Sequence, residues 1–294
     1  MRLDEAVNSF LDYIQVELQR SPCTVSAYRK DLKYFCNYLG AINISASSPV
    51  ADISTLILRK YFVYVREQRN YSARTMARNI ATLKSFFNFL QLEGIMNSNP
   101  AERLHAPRVP ETIPRYLTKD EIETIFNTVD YSSEKGLRDF AILKTLYYSG
   151  LRVSELVKLE VSDVRGFKEI LVQKGKGGKL RFVPMHIKLQ EVLQHYLQRR
   201  LSTSKYLFYS MKGAESISPQ CVRLLVKAYA RKAGIEPERV TPHVFRHSFA
   251  TYLYKNCNID LLRISKLLGH SNLRATTIYT HTTSDHLMDA IKKL

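Results

Sequence analysis

The sequence predicts a mainly α-helical protein of two domains, with a small antiparallel β-sheet in the second domain, an α+β arrangement. The 294 residues are enough for about two domains of ordinary size. Apolar residues recur at helical spacing throughout the first hundred positions, whereas two short strand-like runs occur only in the second half. We therefore predict a helical domain over 1–103, a linker over 104–116 and a second domain over 117–294.

The first domain is predicted to be a bundle of four or five helices. An apolar stripe starts at Leu3, and Ser21-Pro22 has the pattern of an N-cap followed by proline in the first turn. A third helix is expected over about 53–68. A fourth is expected to begin near Ser72 and to end at Gly94.

The linker is predicted from three prolines, Pro107, Pro110 and Pro114. Each proline lacks a backbone donor and biases the preceding residue towards an extended conformation. Such spacing is typical of a semi-rigid connection between two folded parts.

The second domain has a mixed pattern. Thr118 and Glu121 form a capping box that opens a helix to about residue 129, and a second helix is expected over 139–149. Two strands, 169–173 and 180–184, are expected to flank a basic, glycine-rich turn. Further helices are expected at about 187–200, 218–233, 242–256, 260–268 and 283–294.

The charge of the chain indicates a polyanionic partner. It has 44 Lys and Arg against 27 Asp and Glu, a net charge of +17. Residues 1–107 hold 13 basic and 9 acidic side chains, and residues 108–294 hold 31 and 18. Nucleic acid is the usual partner of such a protein, although solubility or binding to an anionic membrane surface is the alternative.

Cysteine usage and hydropathy predict a cytoplasmic protein. No run approaches the roughly 18 uncharged residues that a membrane helix needs, and the start of the chain lacks the apolar core of a signal peptide. The four cysteines are scattered, which is typical of a reduced compartment.

Several basic residues are candidates for contact with DNA. Arg74 and Arg78 lie four positions apart on one predicted helix, where they either face phosphates or form a solvated surface. The turn over 174–179 lacks the GxxxxGK[ST] pattern of a nucleotide-binding loop, and a strand follows it instead of a helix. We expect a hairpin tip that presents Lys176 to DNA, with Lys174 and Lys179 beside it.

A helix near residue 243 is the next candidate site. His243 and His247 have the spacing of zinc ligands, but Val244 occupies the position where the HExxH pattern needs Glu, so no metal site is predicted. Arg246 lies about one turn from His243, and a guanidinium beside an imidazole suits a phosphate. The alternative for this pair is a structural hydrogen bond.

Other motifs add the groups that metal-free phosphoryl transfer requires. Arg152 and Glu155 open a short helix, His270 follows Leu268-Gly269, and Tyr279 lies nine residues further on. A phenol has a pKa of about 10, so it needs nearby cations and a proton acceptor to act as a nucleophile.

In this order and approximate spacing, the motifs resemble the tyrosine recombinase (lambda-integrase-type) family, most closely its Xer-like branch. The lysine hairpin, Gly175-Lys176-Gly177-x-Lys179-x-Arg181-x-Val183-Pro184, matches as well. The resemblance covers nearly the whole chain. It implies a two-domain clamp around duplex DNA, in which a helical core-binding domain precedes a catalytic domain.

The resemblance also implies roles for the site residues. Tyr279 would be the nucleophile, Arg152 and Arg246 would hold the scissile phosphate, and Glu155 would orient the site. The other implied catalytic residues are His243 as general base or acid, Lys176 as proton donor to the leaving oxygen, and His270 as a further hydrogen-bond donor.

The expected function is site-specific recombination of double-stranded DNA through a 3′-phosphotyrosyl intermediate and a Holliday junction, without metal, ATP or other cofactor. Dimer resolution of chromosomes or plasmids is the first expectation. A mobile-element integrase, a type IB topoisomerase-like enzyme and a non-catalytic DNA-binding protein are the alternatives. A tetrameric synapse on DNA, joined through the C-terminal helix, is also implied by the resemblance, with the protein on the nucleoid when bound.

Overall fold

The computed structural model describes residues 1–110, 115–173, 180–211, 213–257 and 259–269. The chain divides into two compact units, Met1–Glu111 and Thr112–Leu294. Helices dominate the described residues, and one three-stranded antiparallel sheet lies in the second unit. The predicted fold class is therefore confirmed.

The first unit has four α-helices within its described part. Their bounds are Leu3–Asp12 (α1), Pro22–Ala41 (α2), Thr55–Glu67 (α3) and Ala73–Leu92 (α4). Serine side chains cap α2, α3 and α4, each accepting a backbone N–H of the first turn. A π-helical turn over Tyr13–Glu17 follows α1 and was not predicted.

The core of the first unit is rich in aromatic rings. Phe35 and Tyr61 are fully buried with ring centroids 5.1 Å apart, and Phe86 and Phe87 are buried with centroids 5.0 Å apart. These rings lie on α2, α3 and α4, so they join three helices in one apolar cluster. Leu104 is buried in the same cluster. Chain beyond α4 therefore contributes to this core.

The second unit is arranged around one buried helix. Its α-helices are Lys119–Asn127 (α5), Glu134–Ser149 (α6), Val153–Leu156 (α7), Ile187–Arg199 (α8), Pro219–Lys232 (α9), Pro242–Asn256 (α10) and Leu261–Leu268 (α11). α6 packs against α5, α7, α8, α9 and α10. It begins at Glu134, so the prediction that this helix starts at residue 139 is wrong by five positions.

The sheet lies between α7 and α8 in the chain. Its strands are Val164–Arg165 (β1), Glu169–Val172 (β2) and Arg181–Pro184 (β3), in the order β1-β2-β3. β2 and β3 were predicted within one residue, and the two-residue β1 was missed. At one end of the pairing between β2 and β3, Val172 lies opposite Arg181.

None of the described helices is both long enough and apolar enough to cross a membrane. All four cysteines lie in the described part of the chain, and each is a free thiol.

Candidate active site

The site begins at the junction between α6 and α7. Gly150 ends α6 with φ of +59°, in the left-handed region that favours glycine. A Cβ at this position would lie 2.5 Å from Phe249 and 2.8 Å from Leu268, so a larger residue does not fit. The turn places Arg152 at the N-cap of α7, beside the end of α11.

Glu155 is the centre of the site. Its carboxylate accepts the backbone N–H of Arg152 at 2.8 Å and the Nη1 of Arg152 at 3.0 Å. It also accepts Nη1 and Nη2 of Arg181, at 3.0 and 2.8 Å, in a bidentate pair. Two guanidinium groups from different elements therefore share one carboxylate.

The ionised form of Glu155 is strongly favoured. Burial opposes ionisation, since the side chain is only 4% exposed. The hydrogen bonds from Arg181 and from the Arg152 backbone outweigh burial and lower the pKa of Glu155 to about 2. Glu155 is therefore an anion throughout the physiological range, and it holds both arginines by charge as well as by geometry.

Arg246 supplies a third guanidinium from α10. It is 2% exposed, and its Nη1 lies 4.0 Å from Oε2 of Glu155. Nη1 also donates to the carbonyl of Gly150 at 2.7 Å, and Nη2 donates to the carbonyl of Leu268 at 2.8 Å. Arg246 therefore ties the end of α6 to the end of α11.

The last carbonyls of α11 are shared among the three arginines. Arg181 donates from Nε to Leu267 at 3.0 Å, and Arg152 donates from Nη2 to Gly269 at 3.1 Å. Carbonyls at the C-terminus of a helix lack partners within the helix and carry partial negative charge, so cationic donors suit them. Together with the bond from Arg246, these contacts fix the chain just before residue 270.

Two histidines lie beside Arg246 on α10. The rings of His243 and His247 have centroids 5.5 Å apart. Desolvation lowers the pKa of His243, with Arg246 and Arg152 contributing, and desolvation followed by His243 lowers the pKa of His247 to about 4. Both imidazoles are therefore neutral near pH 7, which is the form that accepts a proton. Among the described residues, no group of three or more His, Cys, Asp or Glu is placed to hold a metal ion.

The structure thus brings together Arg152, Glu155, His243 and Arg246 in the second unit. The remaining catalytic candidates, Lys176, His270 and Tyr279, lie outside the described residues. So do Lys174, Lys179 and the helix predicted at about 283–294.

The two candidates of the first unit are both exposed on α4. Arg78 donates from Nη2 to the buried carboxylate of Asp31 at 2.8 Å, and Thr82 donates to the other oxygen of that carboxylate at 2.9 Å. The side chain of Arg78 is 46% exposed, so Asp31 orients it without removing it from solvent. Arg74 lies one turn before it along the helix.

Arg181 is the site residue that sequence reasoning did not single out. The hairpin pattern contains Arg181 without giving it a role, yet it makes two bonds to Glu155. Since 26 residues separate the two positions and they lie on different elements, no spacing rule connects them. The alternation of β3 gives one signal that Arg181 faces the interior. Val183, two residues on, shares its face of the strand and is fully buried.

Two family profiles match consecutive parts of the chain. Residues 115–286 match the phage integrase family, and residues 7–94 match the N-terminal SAM-like domain of phage integrases. The tyrosine recombinase XerC of Oceanobacillus iheyensis is 33% identical over 300 residues, which cover 99% of this chain and 96% of that protein. The likeness therefore extends over both units.

Solved structures share the fold. The XerH site-specific recombinase, bound to its difH substrate in a pre-cleavage complex, superposes with a TM-score of 0.75 at 22% identity, over 98% of this chain and 95% of that one. A lambda integrase tetramer bound to a Holliday junction gives 0.73 at 19% identity, over 92% and 78%. At these identities the structures establish a common architecture.

Proposed function

Since the chain belongs to the phage integrase family and is a tyrosine recombinase, we propose that it exchanges DNA strands at a specific site through a covalent bond between DNA and Tyr279. The observation that carries this proposal is the cluster of Arg152, Arg181 and Arg246 around Glu155. Three guanidinium groups and one carboxylate leave a net charge of about +2 beside a neutral His243, which suits a phosphodiester.

In the first step, the hydroxyl oxygen of Tyr279 attacks the scissile phosphorus. The bond between phosphorus and the 5′ oxygen breaks, which leaves a 3′-phosphotyrosyl ester and a free 5′-hydroxyl. His243 accepts the tyrosine proton, and Lys176 gives a proton to the departing 5′ oxygen. Proton removal and leaving-group protonation are therefore assigned to different residues.

The arginines stabilise charge that develops in this step. Arg152 and Arg246 hold the non-bridging oxygens, and His270 adds a hydrogen bond to the same phosphate. Arg246 is buried and anchored to two carbonyls, so its orientation is set before DNA arrives. Glu155 orients this group through the contacts described above.

Strand exchange follows when a 5′-hydroxyl from a second duplex attacks the phosphotyrosyl ester. The ester retains the energy of the broken bond, so resealing requires no ATP or other cofactor. Two rounds of exchange pass through a Holliday junction. The Xer name of the relative fits resolution of chromosome or plasmid dimers, and we assign this protein that role on the nucleoid in the cytoplasm.

We assign DNA contact to exposed basic residues of both units. Arg74 and Arg78 would face phosphates or base edges from α4, while Lys174 and Lys179 would contact DNA beside the hairpin tip. Four copies would assemble on two duplexes, as the lambda integrase tetramer does on its junction. The segment at about 283–294 would join neighbouring copies.

The nucleophile is tested with a nicked suicide duplex, which traps a covalent complex because the small product diffuses away. The wild-type protein should give a complex that survives denaturation, and Tyr279→Phe should abolish it because the phenolic oxygen is gone. Denaturing gel electrophoresis measures the yield. Tyr252→Phe and Tyr254→Phe are the matched controls; loss of the complex in either of these, with retention in Tyr279→Phe, would overturn the assignment.

A further inference from the structure

Arg181 links three elements of the second unit. It is the first residue of β3, and its guanidinium bonds both carboxylate oxygens of Glu155 on α7. Its Nε donates to the carbonyl of Leu267 near the end of α11. Each of its three side-chain nitrogens therefore already donates to a protein acceptor.

The ion pair of Arg181 separates it from the arginines assigned to the phosphate. Both of its Nη atoms donate to the carboxylate of Glu155, which neutralises its charge, whereas the Nη atoms of Arg246 donate to the uncharged carbonyls of Gly150 and Leu268. A guanidinium whose charge is paired within the protein and whose nitrogens all donate there is suited to holding other groups in place.

The position of Gly269 is a second observation that places Arg181 against the end of α11. A Cβ at this position would lie 3.0 Å from Nη1 of Arg181 and 3.1 Å from its Cζ. The guanidinium is held by three hydrogen bonds, so it has little freedom to move aside. A methyl group at position 269 would therefore press directly on the guanidinium of Arg181.

We propose that Arg181 is a positioning residue for the arginine site: through Glu155 and the Leu267 carbonyl, it fixes Arg152 and the chain that leads to His270. This inference rests on the proposed recombinase chemistry. It assigns Arg181 no contact with DNA, so its loss should reduce the rate of cleavage and leave DNA affinity nearly unchanged.

The first test compares Arg181→Gln and Arg181→Lys with wild type in single-turnover cleavage of the suicide duplex. We expect Arg181→Gln to slow cleavage roughly 10- to 100-fold, since misplacement of about 1 Å has this effect on a catalytic step. Arg181→Lys should recover part of the rate, because an ammonium neutralises Glu155 but lacks the bidentate geometry. Arg165→Gln, on β1 of the same sheet, is the matched control and should cleave like wild type.

The second test is a double-mutant cycle with Glu155→Gln. If Arg181 acts through Glu155, adding Arg181→Gln to Glu155→Gln should slow cleavage much less than it does in the wild-type background. Additive effects would mean that Arg181 acts independently of Glu155 and would overturn the proposal. Thermal unfolding of each variant shows whether the compared proteins are folded.

The third test displaces Arg181 without changing it. Gly269→Ala should reproduce part of the cleavage defect in the wild-type background and add little in the Arg181→Gln background. Gly234→Ala is the control for backbone strain, because Gly234 has a φ of +71° and open space where a Cβ would lie; it should cleave like wild type.

The outcomes distinguish a failure of the proposed recombinase chemistry from a failure of the role proposed for Arg181. Absence of a covalent complex with wild-type protein would contradict the recombinase chemistry itself. Normal cleavage by Arg181→Gln, or equal losses of DNA affinity and cleavage rate, would overturn the role of Arg181 alone. A filter-binding or fluorescence-anisotropy titration provides the affinities.

Discussion

Glu155 shows how one buried carboxylate organises several cations. Taken out of water, an isolated carboxylate would be protonated or expelled from the fold. Here Arg152 and Arg181 supply four hydrogen bonds to it, and Arg246 adds charge at 4.0 Å. The stability of the site therefore depends on the ionisation of this residue.

That dependence predicts an effect of pH on unfolding. Burial is outweighed by the bonds from Arg181 and Arg152, so the pKa of Glu155 is about 2 in the folded protein against an ordinary 4.5. Its contribution is complete above pH 4.5 and is lost as the pH falls towards 2. It amounts to about 3 kcal/mol over that range.

The measurement is urea unfolding of wild type and Glu155→Gln at several pH values from 7 to 3. The difference in free energy of unfolding should be greatest at pH 7 and should narrow below pH 4.5, because the variant has no carboxylate to protonate. A difference that is constant with pH would contradict the assigned pKa. Glu93→Gln, on the surface of the first unit, serves as the control.

At this scale the sequence predicted the parts of the site that lie on one helix. Arg152 and Glu155 are three residues apart, and His243 and Arg246 are likewise three apart, so helical spacing was enough to group each pair. Arg181 was missed because its partner is remote in sequence. The hydrogen bonds from arginines to the carbonyls of α11 could not be predicted either. Every residue has a backbone carbonyl, so residue type does not indicate which carbonyls accept these bonds.

Among the elements, α6 determines the position of the site because it ends at Gly150. The helix is buried along nearly its whole length, including polar residues such as Arg138 and Lys144. Arg138 is paired with Asp139, and the ammonium of Lys144 lies 3.9 Å from the centre of the Phe126 ring. Because α6 is held by these buried contacts, it fixes the position of the Gly150 carbonyl that accepts the hydrogen bond from Arg246.

Gly150→Ala should therefore affect both stability and chemistry. The new Cβ would clash with Phe249 and Leu268 and would strain a positive φ, so we expect destabilisation of about 1–3 kcal/mol. Cleavage should fall as well, because the carbonyl of residue 150 positions Arg246. Denaturant unfolding and the suicide-duplex assay measure the two effects.

Gly166→Ala is the matched control for Gly150→Ala. Gly166 also has a positive φ, +52°, but has open space where the Cβ would lie. Gly166→Ala should lose only the part of the free energy of unfolding that comes from placing a residue with a Cβ at positive φ. Equal losses in the two variants would mean that steric exclusion at Gly150 contributes nothing.

Sequence periodicity predicted most elements within one or two residues. α6 is the exception, since its first five residues include Arg138, a charged residue that is buried and paired with Asp139 and that therefore interrupts the apolar pattern. The strand β1 was missed because two residues show no alternation. Both failures arise where tertiary contacts, not local preference, decide the structure.

For the molecule as a whole, the net charge of +17 predicts strongly salt-dependent DNA binding. Phosphate contacts release counterions, so a protein with about 6–10 such contacts loses roughly 10³- to 10⁵-fold in affinity between 50 and 200 mM salt. A titration of duplex DNA by fluorescence anisotropy over this range measures the slope of log affinity against log salt concentration.

Arg152→Ala separates binding from chemistry in the same titration. Under the proposed mechanism it would remove one phosphate contact among many, so the slope of log affinity against log salt should change by about one or less, while cleavage should be lost. Arg103→Ala, outside the assigned DNA contacts of the first unit, is a control that should cleave normally. A large loss of affinity in Arg152→Ala would make Arg152 a docking residue.

The two apolar cores have a consequence for how this chain tolerates substitutions. Among the described residues, the buried members of the cluster in the first unit lie within 3–104, and those of the largest cluster in the second unit lie within 117–245. A substitution that alters one core requires no repacking of the other. We therefore expect substitutions in the two cores to be tolerated independently of each other.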